Sequence, residues 1–266
     1  MTQEKWMVDG EKVIDIGAVR HVKIALVRGS IDIVGHDEPG ARIEVHSVSG
    51  RELKITLDND TLEIDHPQLR WDNFIDVFTA FKGNARADLS IMVPRGIDLK
   101  LGVVSASALV TGLAGDANLS TVNGDVVVDG HTGPVQVNSV SGEISIRGLD
   151  GTLTARSVNG DLTVAGSVRR LTSDGVSGSV FIDAAGTPEE MQINTVNGNV
   201  TVRVEPDFAA RYRINTATGE LLVDGAKITG VHGSYTGSFG ALEGRWLDFK
   251  ANTVSGNVSV LHAVHA

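Results

Sequence analysis

The strongest pattern along the chain is a period-two alternation of apolar and polar residues that returns about every eighteen residues. Thr121-Val122-Asn123-Gly124-Asp125-Val126-Val127-Val128 recurs as Ser139-Val140-Ser141-Gly142-Glu143-Ile144-Ser145-Ile146 and as Ser157-Val158-Asn159-Gly160-Asp161-Leu162-Thr163-Val164. Shorter echoes follow at Val176-Ser177-Gly178, Thr195-Val196-Asn197-Gly198, Thr216-Ala217-Thr218-Gly219 and Thr253-Val254-Ser255-Gly256. The anchors Gly124, Gly142, Gly160, Gly178, Gly198, Gly219 and Gly256 are separated by 18, 18, 18, 20, 21 and 37 residues. The last step is one coil carrying an insertion, or two coils of which one is degenerate. Counting back 18 from Gly124 starts a first coil near Ala106, without its glycine.

Two residues after the glycines stand Val126, Ile144, Leu162, Val180, Val200, Leu221 and Val258, and four after come Val128, Ile146, Val164, Ile182, Val202, Val223 and Val260. Two residues before them stand Val122, Val140, Val158, Val176, Val196, Ala217 and Val254. All three columns read as inward-facing, because β-branched residues at period two suit a strand with one buried face. A second pair per coil, such as Val135 and Val137 or Met191 and Ile193, supplies another short strand. Helix is excluded, since glycine interrupts every nine or so residues. A meander of hairpins buries the same faces. The return of whole columns favours an all-β, single-chain parallel β-solenoid (β-helix) of ~18-residue coils. The glycines then occupy corners needing positive φ. In another turn column, Ser120, Asn138, Arg156, Asp174, Asn194, Asn215 and Asn252, the solenoid predicts an Arg156–Asp174 ion pair.

Residues 1–101 alternate cleanly but lack the 18-residue register, as in Val22–Val27, Ile31–Val34, Arg42–Val45, Leu53–Leu57, Thr61–Ile64 and Ala87–Val93. Arg28-Gly29-Ser30 and Asp58-Asn59-Asp60 read as turns between them. This half is expected to be an N-terminal β-strand cap over the open end of solenoid repeats that run through 102–266. A Gly-rich stretch interrupts the last coils at about 226–248 and reads as a hairpin or loop, with His232, Tyr235 and Glu243 its only convergent polar groups. Trp71, Phe74, Phe78 and Phe81 follow helical spacing and read as a plug of the solenoid end or as a partner-docking surface.

Composition narrows the function. The chain has 266 residues, 41% hydrophobic content, no Cys and a net charge of −10. Thiol chemistry and Cys-based metal sites are therefore out. The negative charge opposes nucleic acid and anionic lipid surfaces as partners. Neither a secretory leader nor a ~20-residue apolar span is present, so a cytoplasmic location without direct membrane insertion is expected, with recruitment to a membrane by a partner.

The repeated Ser/Thr-Val-Asn/Ser-Gly-Asp/Glu-Val/Ile blocks, entered through Val93-Pro94-Arg95-Gly96-Ile97-Asp98-Leu99, resemble the DUF4097 family, also called toastrack or putative adhesin, over about residues 18–262. The resemblance implies a bacterial β-solenoid linked to cell-envelope stress sensing, without catalytic residues to carry over.

Phosphate-cradling and dinucleotide fingerprints are absent, as are Gly-x-Ser-x-Gly and His-Glu-x-x-His. Asp125, Glu143 and Asp161 stack in the solenoid and are the sharpest candidates for a cation, although a solvated edge accounts for them better. His262 and His265 would point to opposite faces of a strand. No cofactor is expected. The expectation is a non-enzymatic scaffold or interaction module, forming a homo-oligomer through an uncovered C-terminal solenoid end after Val260. The rival is a carbohydrate-binding or carbohydrate-active β-helix with an acidic surface groove.

Overall fold

A computed structural model describes residues 3–66, 84–228 and 233–263. Within them every regular element is a strand, as the period-two alternation requires. The chain forms two units, 1–132 and 133–266. The expected boundary at 101 falls inside a strand.

The first unit holds β1 (Gln3–Val8), β2 (Lys12–Ala18), β3 (His21–His36), β4 (Gly40–Ser49), β5 (Leu53–Asp58), β6 (Thr61–Asp65), β7 (Arg86–Pro94), β8 (Asp98–Thr111), β9 (Ala117–Asn123) and β10 (Val126–Asp129). Strand β3 pairs in parallel with β8 from His21↔Asp98 to Val34↔Thr111. On its other side β3 pairs in parallel with β6 and then β7. Antiparallel ladders continue outward, β6 to β5 to β1 and β7 to β4 to β2. The expected break at Arg28-Gly29-Ser30 does not occur. Gly29, at φ +121°, lies within β3 and remains paired with both Ala87 and Ala106. Parallel pairing with an 18-residue offset begins with β8, which takes β9 at Leu99↔Ala117 and β10 at Ala108↔Val126.

Asp88 ties this unit together laterally. It accepts hydrogen bonds from Ser30 Oγ at 3.1 Å, Ser47 Oγ at 2.7 Å, and Arg86 Nε and Nη2 at 3.1 and 3.2 Å. Burial alone would raise its pKa, but the Arg86, Ser47 and Ser30 bonds outweigh it and hold the carboxyl below the usual aspartate range. The stability this contributes is present above the unfolded pKa of about 3.9 and is lost as pH falls through and below that value. Asp88→Asn is expected to cost about 1–2 kcal/mol at pH 7, and the gap should close toward pH 3. Urea unfolding at both pH values checks this; a gap independent of pH would contradict it.

The second unit holds β11 (Thr132–Ser141), β12 (Ile144–Asn159), β13 (Leu162–Ser177), β14 (Val180–Ala184), β15 (Glu190–Asn197), β16 (Val200–Val204), β17 (Ala210–Thr216), β18 (Leu221–Val223), β19 (Ala226–Ile228), β20 (Gly233–Phe239), β21 (Leu247–Ser255) and β22 (Val258–His262). Its long ladders are parallel and keep the expected columns: Ile144↔Leu162, Leu162↔Val180, Val180↔Val200 and Val200↔Val258. Ile146, Val164, Ile182, Val202 and Val260 are fully buried beside them. At roughly 2 kcal/mol per buried aliphatic side chain, these columns are the main apolar contribution to the unit.

The final rung is out of sequence order. Strand β21 lies between β15 and β17, and β22 between β16 and β18. Of the two readings of the 37-residue step, the first holds: a single coil, β21–β22, follows an insertion that forms β19 and β20, and this coil is seated before the one that precedes it in the chain. The edges are then antiparallel hairpin strands, β20 against β17 and β19 against β18. The expected uncovered edge after Val260 is therefore absent, because β22 is paired on both sides. The Gly-rich stretch supplies β19 and β20.

Candidate functional site

The glycine column is set by how closely the rungs approach. A Cβ on Gly160 would sit 2.1 Å from the Gly142 carbonyl oxygen, one on Gly256 2.0 Å from that of Gly198, and one on Gly219 1.8 Å from that of Gly256. Gly124 stands in the same relation to Ala106, the position inferred for the first coil. Positive φ adds to the requirement at Gly142 and Gly178.

Around these corners the polar side chains are spent on the rungs themselves. Asp161 Oδ1 accepts the Ser179 amide at 2.7 Å, Asn199 Oδ1 the Asn257 amide at 3.1 Å, and Asn257 Oδ1 the Glu220 amide at 2.9 Å. In the column that contains Asp125, Glu143 and Asp161, Asp161, Asn199 and Asn257 thus cap backbone donors of the neighbouring rung. Among the described residues no group of three His, Asp or Glu gathers as metal ligands. The second turn column forms an amide ladder: Asn194 to Asp174 at 2.8 Å, Asn252 to Asn194 at 2.7 Å, Asn215 to Asn252 at 2.7 Å. Arg156 and Asp174 are paired in register, but no ion pair joins them, since Asp174 Oδ1 receives Asn194 instead.

The column two before the glycines corrects the sequence reading. Val140, Val158, Val176, Val196 and Val254 are 46–54% exposed. The inward position belongs to the preceding residue: Ser139, Thr195, Thr253 and Thr216 are buried. Alternation carried forward from Ile193 reaches Thr195, whereas alternation carried back from Val200 reaches Val196. One extra residue at the corner shifts the phase, and a one-residue slip exchanges the faces. Pairings on either side of the valines, Asn159↔Ser177, Ser177↔Asn197 and Asn197↔Ser255, place them rung upon rung. The result is an apolar ridge climbing about 4.8 Å per rung.

His262 sits in a buried cluster instead of a ligand set. Its Nδ1 lies 3.0 and 3.1 Å from the Asp224 carboxylate, its Nε2 lies 3.1 Å from the Tyr212 hydroxyl, and Phe239 stacks on the ring at 3.7 Å. An Asp-His-Tyr series can relay protons, but the His262 side chain is 2% exposed and Tyr212 is equally enclosed. Burial pushes the Tyr212 hydroxyl well above its ordinary range, with the Asp224 charge adding to it. The cluster joins β22 to β17, β20 and the β18–β19 turn.

Trp71, Phe74, Phe78 and Phe81, with His232 and His265, lie outside the described residues. Among the described residues, no helix is long and apolar enough to cross a membrane.

Parallel ladders, a stacked glycine corner and an exposed ridge define an all-β repeat protein. The chain belongs to the Toastrack DUF4097 family, whose model matches residues 21–261. No curated protein matches it. Among solved structures it is similar to a Parabacteroides distasonis protein named "Putative lipid binding protein", with TM-score 0.51 and 12% identity over 95% of this chain and 97% of that one. A Bacteroides fragilis "putative adhesin" gives TM-score 0.48 and 13% identity over 95% and 99%. At these identities the likeness is one of fold alone.

Proposed function

We propose that the chain is a non-catalytic β-solenoid scaffold, an interaction module serving the bacterial envelope-stress role that the family resemblance implies. The observation that carries this reading is the ridge Val140–Val158–Val176–Val196–Val254, half-exposed on every rung. The polar groups with chemical potential support it from the other side: Asp161, Asn199 and Asn257 cap amides, and His262 is enclosed.

The occupant of the ridge is a second copy of this chain. A five-rung ladder at ~4.8 Å is matched rung for rung by an identical ladder across a two-fold axis. Five half-exposed valines cover far less than the ~800 Å² per partner of a tight interface, so association is weak, with Kd on the order of 10–100 μM. This replaces the oligomer contact expected at the C-terminal end. Val158→Thr/Val196→Thr should leave the melting temperature within about 2 °C, as exposed substitutions change stability by less than ~0.5 kcal/mol. Sedimentation velocity on the full chain should show concentration-dependent dimer for the natural sequence and monomer for the double variant. A natural chain that stays monomeric at several hundred micromolar, or a variant that still dimerises, would contradict the reading.

A further inference from the structure

The second unit carries a cavity of about 450 Å³ on a side of the ladder away from any repeat motif. Successive rungs line it: Asp150 from β12, Ser167 and Arg169 from β13, Thr187 from the β14–β15 connection, and Arg245 and Trp246 just before β21. Asp150 and Ser167 are paired in register, so the cavity runs along the stacking direction. Its volume is within the ~300–1,000 Å³ of small-molecule sites.

The lining combines three chemistries. Trp246 is held by the Arg211 guanidinium, 4.3 Å from the ring centroid, and lines the cavity as an apolar platform. Arg169 has no carboxylate partner among the described residues, and Arg245 reaches only the Thr187 hydroxyl, at 3.5 Å. Glu189, which also lines the cavity, is paired with Arg170 at 3.2 Å; Asp248 pairs with Arg211 and Arg213, and Lys250 with Glu190 at 2.7 Å. Two guanidinium groups of the lining, Arg169 and Arg245, are thus left without a carboxylate partner among the described residues, in a chain of net charge −10. Hydroxyls of Ser167 and Thr187 and the carboxylate of Asp150 complete the wall.

We infer that this cavity binds an acidic sugar unit, a hexuronate of a polysaccharide. A sugar ring presents C–H groups to the Trp246 face, and its single carboxylate suits a free guanidinium. Ring hydroxyls donate to Asp150 and exchange hydrogen bonds with Ser167 and Thr187. A phosphate dianion fits worse, because Asp150 and Glu189 repel its nearly doubled charge more strongly than the single charge of a carboxylate. The inference stands on this cavity alone and does not depend on the valine ridge.

The test uses the full chain with trigalacturonate as probe, followed by calorimetry and tryptophan fluorescence. Saturable binding is expected, weakened at least ~10-fold by Arg169→Gln/Arg245→Gln and by Trp246→Phe. Those variants must keep the circular dichroism and melting temperature of the natural chain; Thr236→Ala, away from the cavity, serves as the unaffected control. Neutral maltotriose should bind at least ~10-fold more weakly. No saturation by ~10 mM trigalacturonate, equal binding by maltotriose or inorganic phosphate, or undiminished binding by the folded arginine variant would each overturn the inference.

Discussion

Gly178→Ala is expected to lower the stability of the second unit by about 3–5 kcal/mol, roughly a 10 °C fall in Tm. Gly178 has φ +127°, and an added Cβ would lie 2.1 Å from the Gly160 carbonyl oxygen and 2.7 Å from its carbon. Those are backbone atoms of the next rung, so no side-chain rotation relieves the overlap. The rungs must separate, and the hydrogen bonds from Gly160 N to Ser177 O and from Gly178 N to Asn197 O, both 3.1 Å, are strained with them. Gly225→Ala, in the same unit, is the matched control: its φ is +76° and nothing lies within 4 Å of the added carbon. Backbone strain alone applies there, about 1 kcal/mol. Thermal and urea unfolding of the two variants check the contrast; equal losses would mean that close approach does not explain the glycine column.

Truncation after Gly244 is expected to prevent cooperative folding of the second unit. In an ordinary repeat array the last coil is a cap, and its removal costs one interface. Here the removed strands are an interior rung. Strands β15 and β16 lose their outer partners, while β17 and β18 lose their parallel ones. Leu247, Phe249, Val258 and Val260, all fully buried, go too, removing about 8 kcal/mol at ~2 kcal/mol per side chain. His262 leaves Tyr212 without its 3.1 Å partner in a site where burial keeps the phenol neutral. Circular dichroism and urea titration of the truncated chain read this directly. A sharp transition within a few degrees of the natural chain would show that the final rung is peripheral.

Much of the fold was legible because stacking imposes identical demands on successive rungs. Val126 and Val128, Ile144 and Ile146, and Val200 and Val202 could be placed inside from alternation alone, and the glycines marked the corners. The valines before the glycines were misplaced because hydrophobicity ranks Val above Thr, whereas the phase of the strand, carried through the corner, decides which one faces in. Rung order was illegible for a different reason. Columns state which residues are equivalent, not which rungs touch, and the β17–β20 hairpin that allows β21 to return beneath β17 carries no repeat. The first unit hid its parallel pairing because β3 and β8 are 77 positions apart, from His21 to Asp98, and no short period reports so long a return.

The candidate surfaces were less visible still. Asp125, Glu143 and Asp161 stand out in the sequence by their charge, whereas Asp161 acts through its geometry as a cap. The cavity draws Arg169, Arg245 and Trp246 from between the motifs, where rungs bring together residues with no common spacing. A lone tryptophan just after a Gly-rich stretch was the only signal, and it gains meaning once β21 is seated beside β15.

Insertion of the final rung makes the valine ridge continuous from Val196 to Val254. The absence of cysteine makes paired cysteines a clean probe of this order. Oxidation of Val196→Cys/Val254→Cys and of Val196→Cys/Ala217→Cys, scored on non-reducing gels, compares one rung with two. A disulfide needs Cα atoms within ~7 Å, so neighbours at ~4.8 Å can close and positions two rungs apart cannot. Rapid cross-linking of the 196–254 pair and none of the 196–217 pair is expected; the reverse result would place the rungs in sequence order and rule out an inserted final rung.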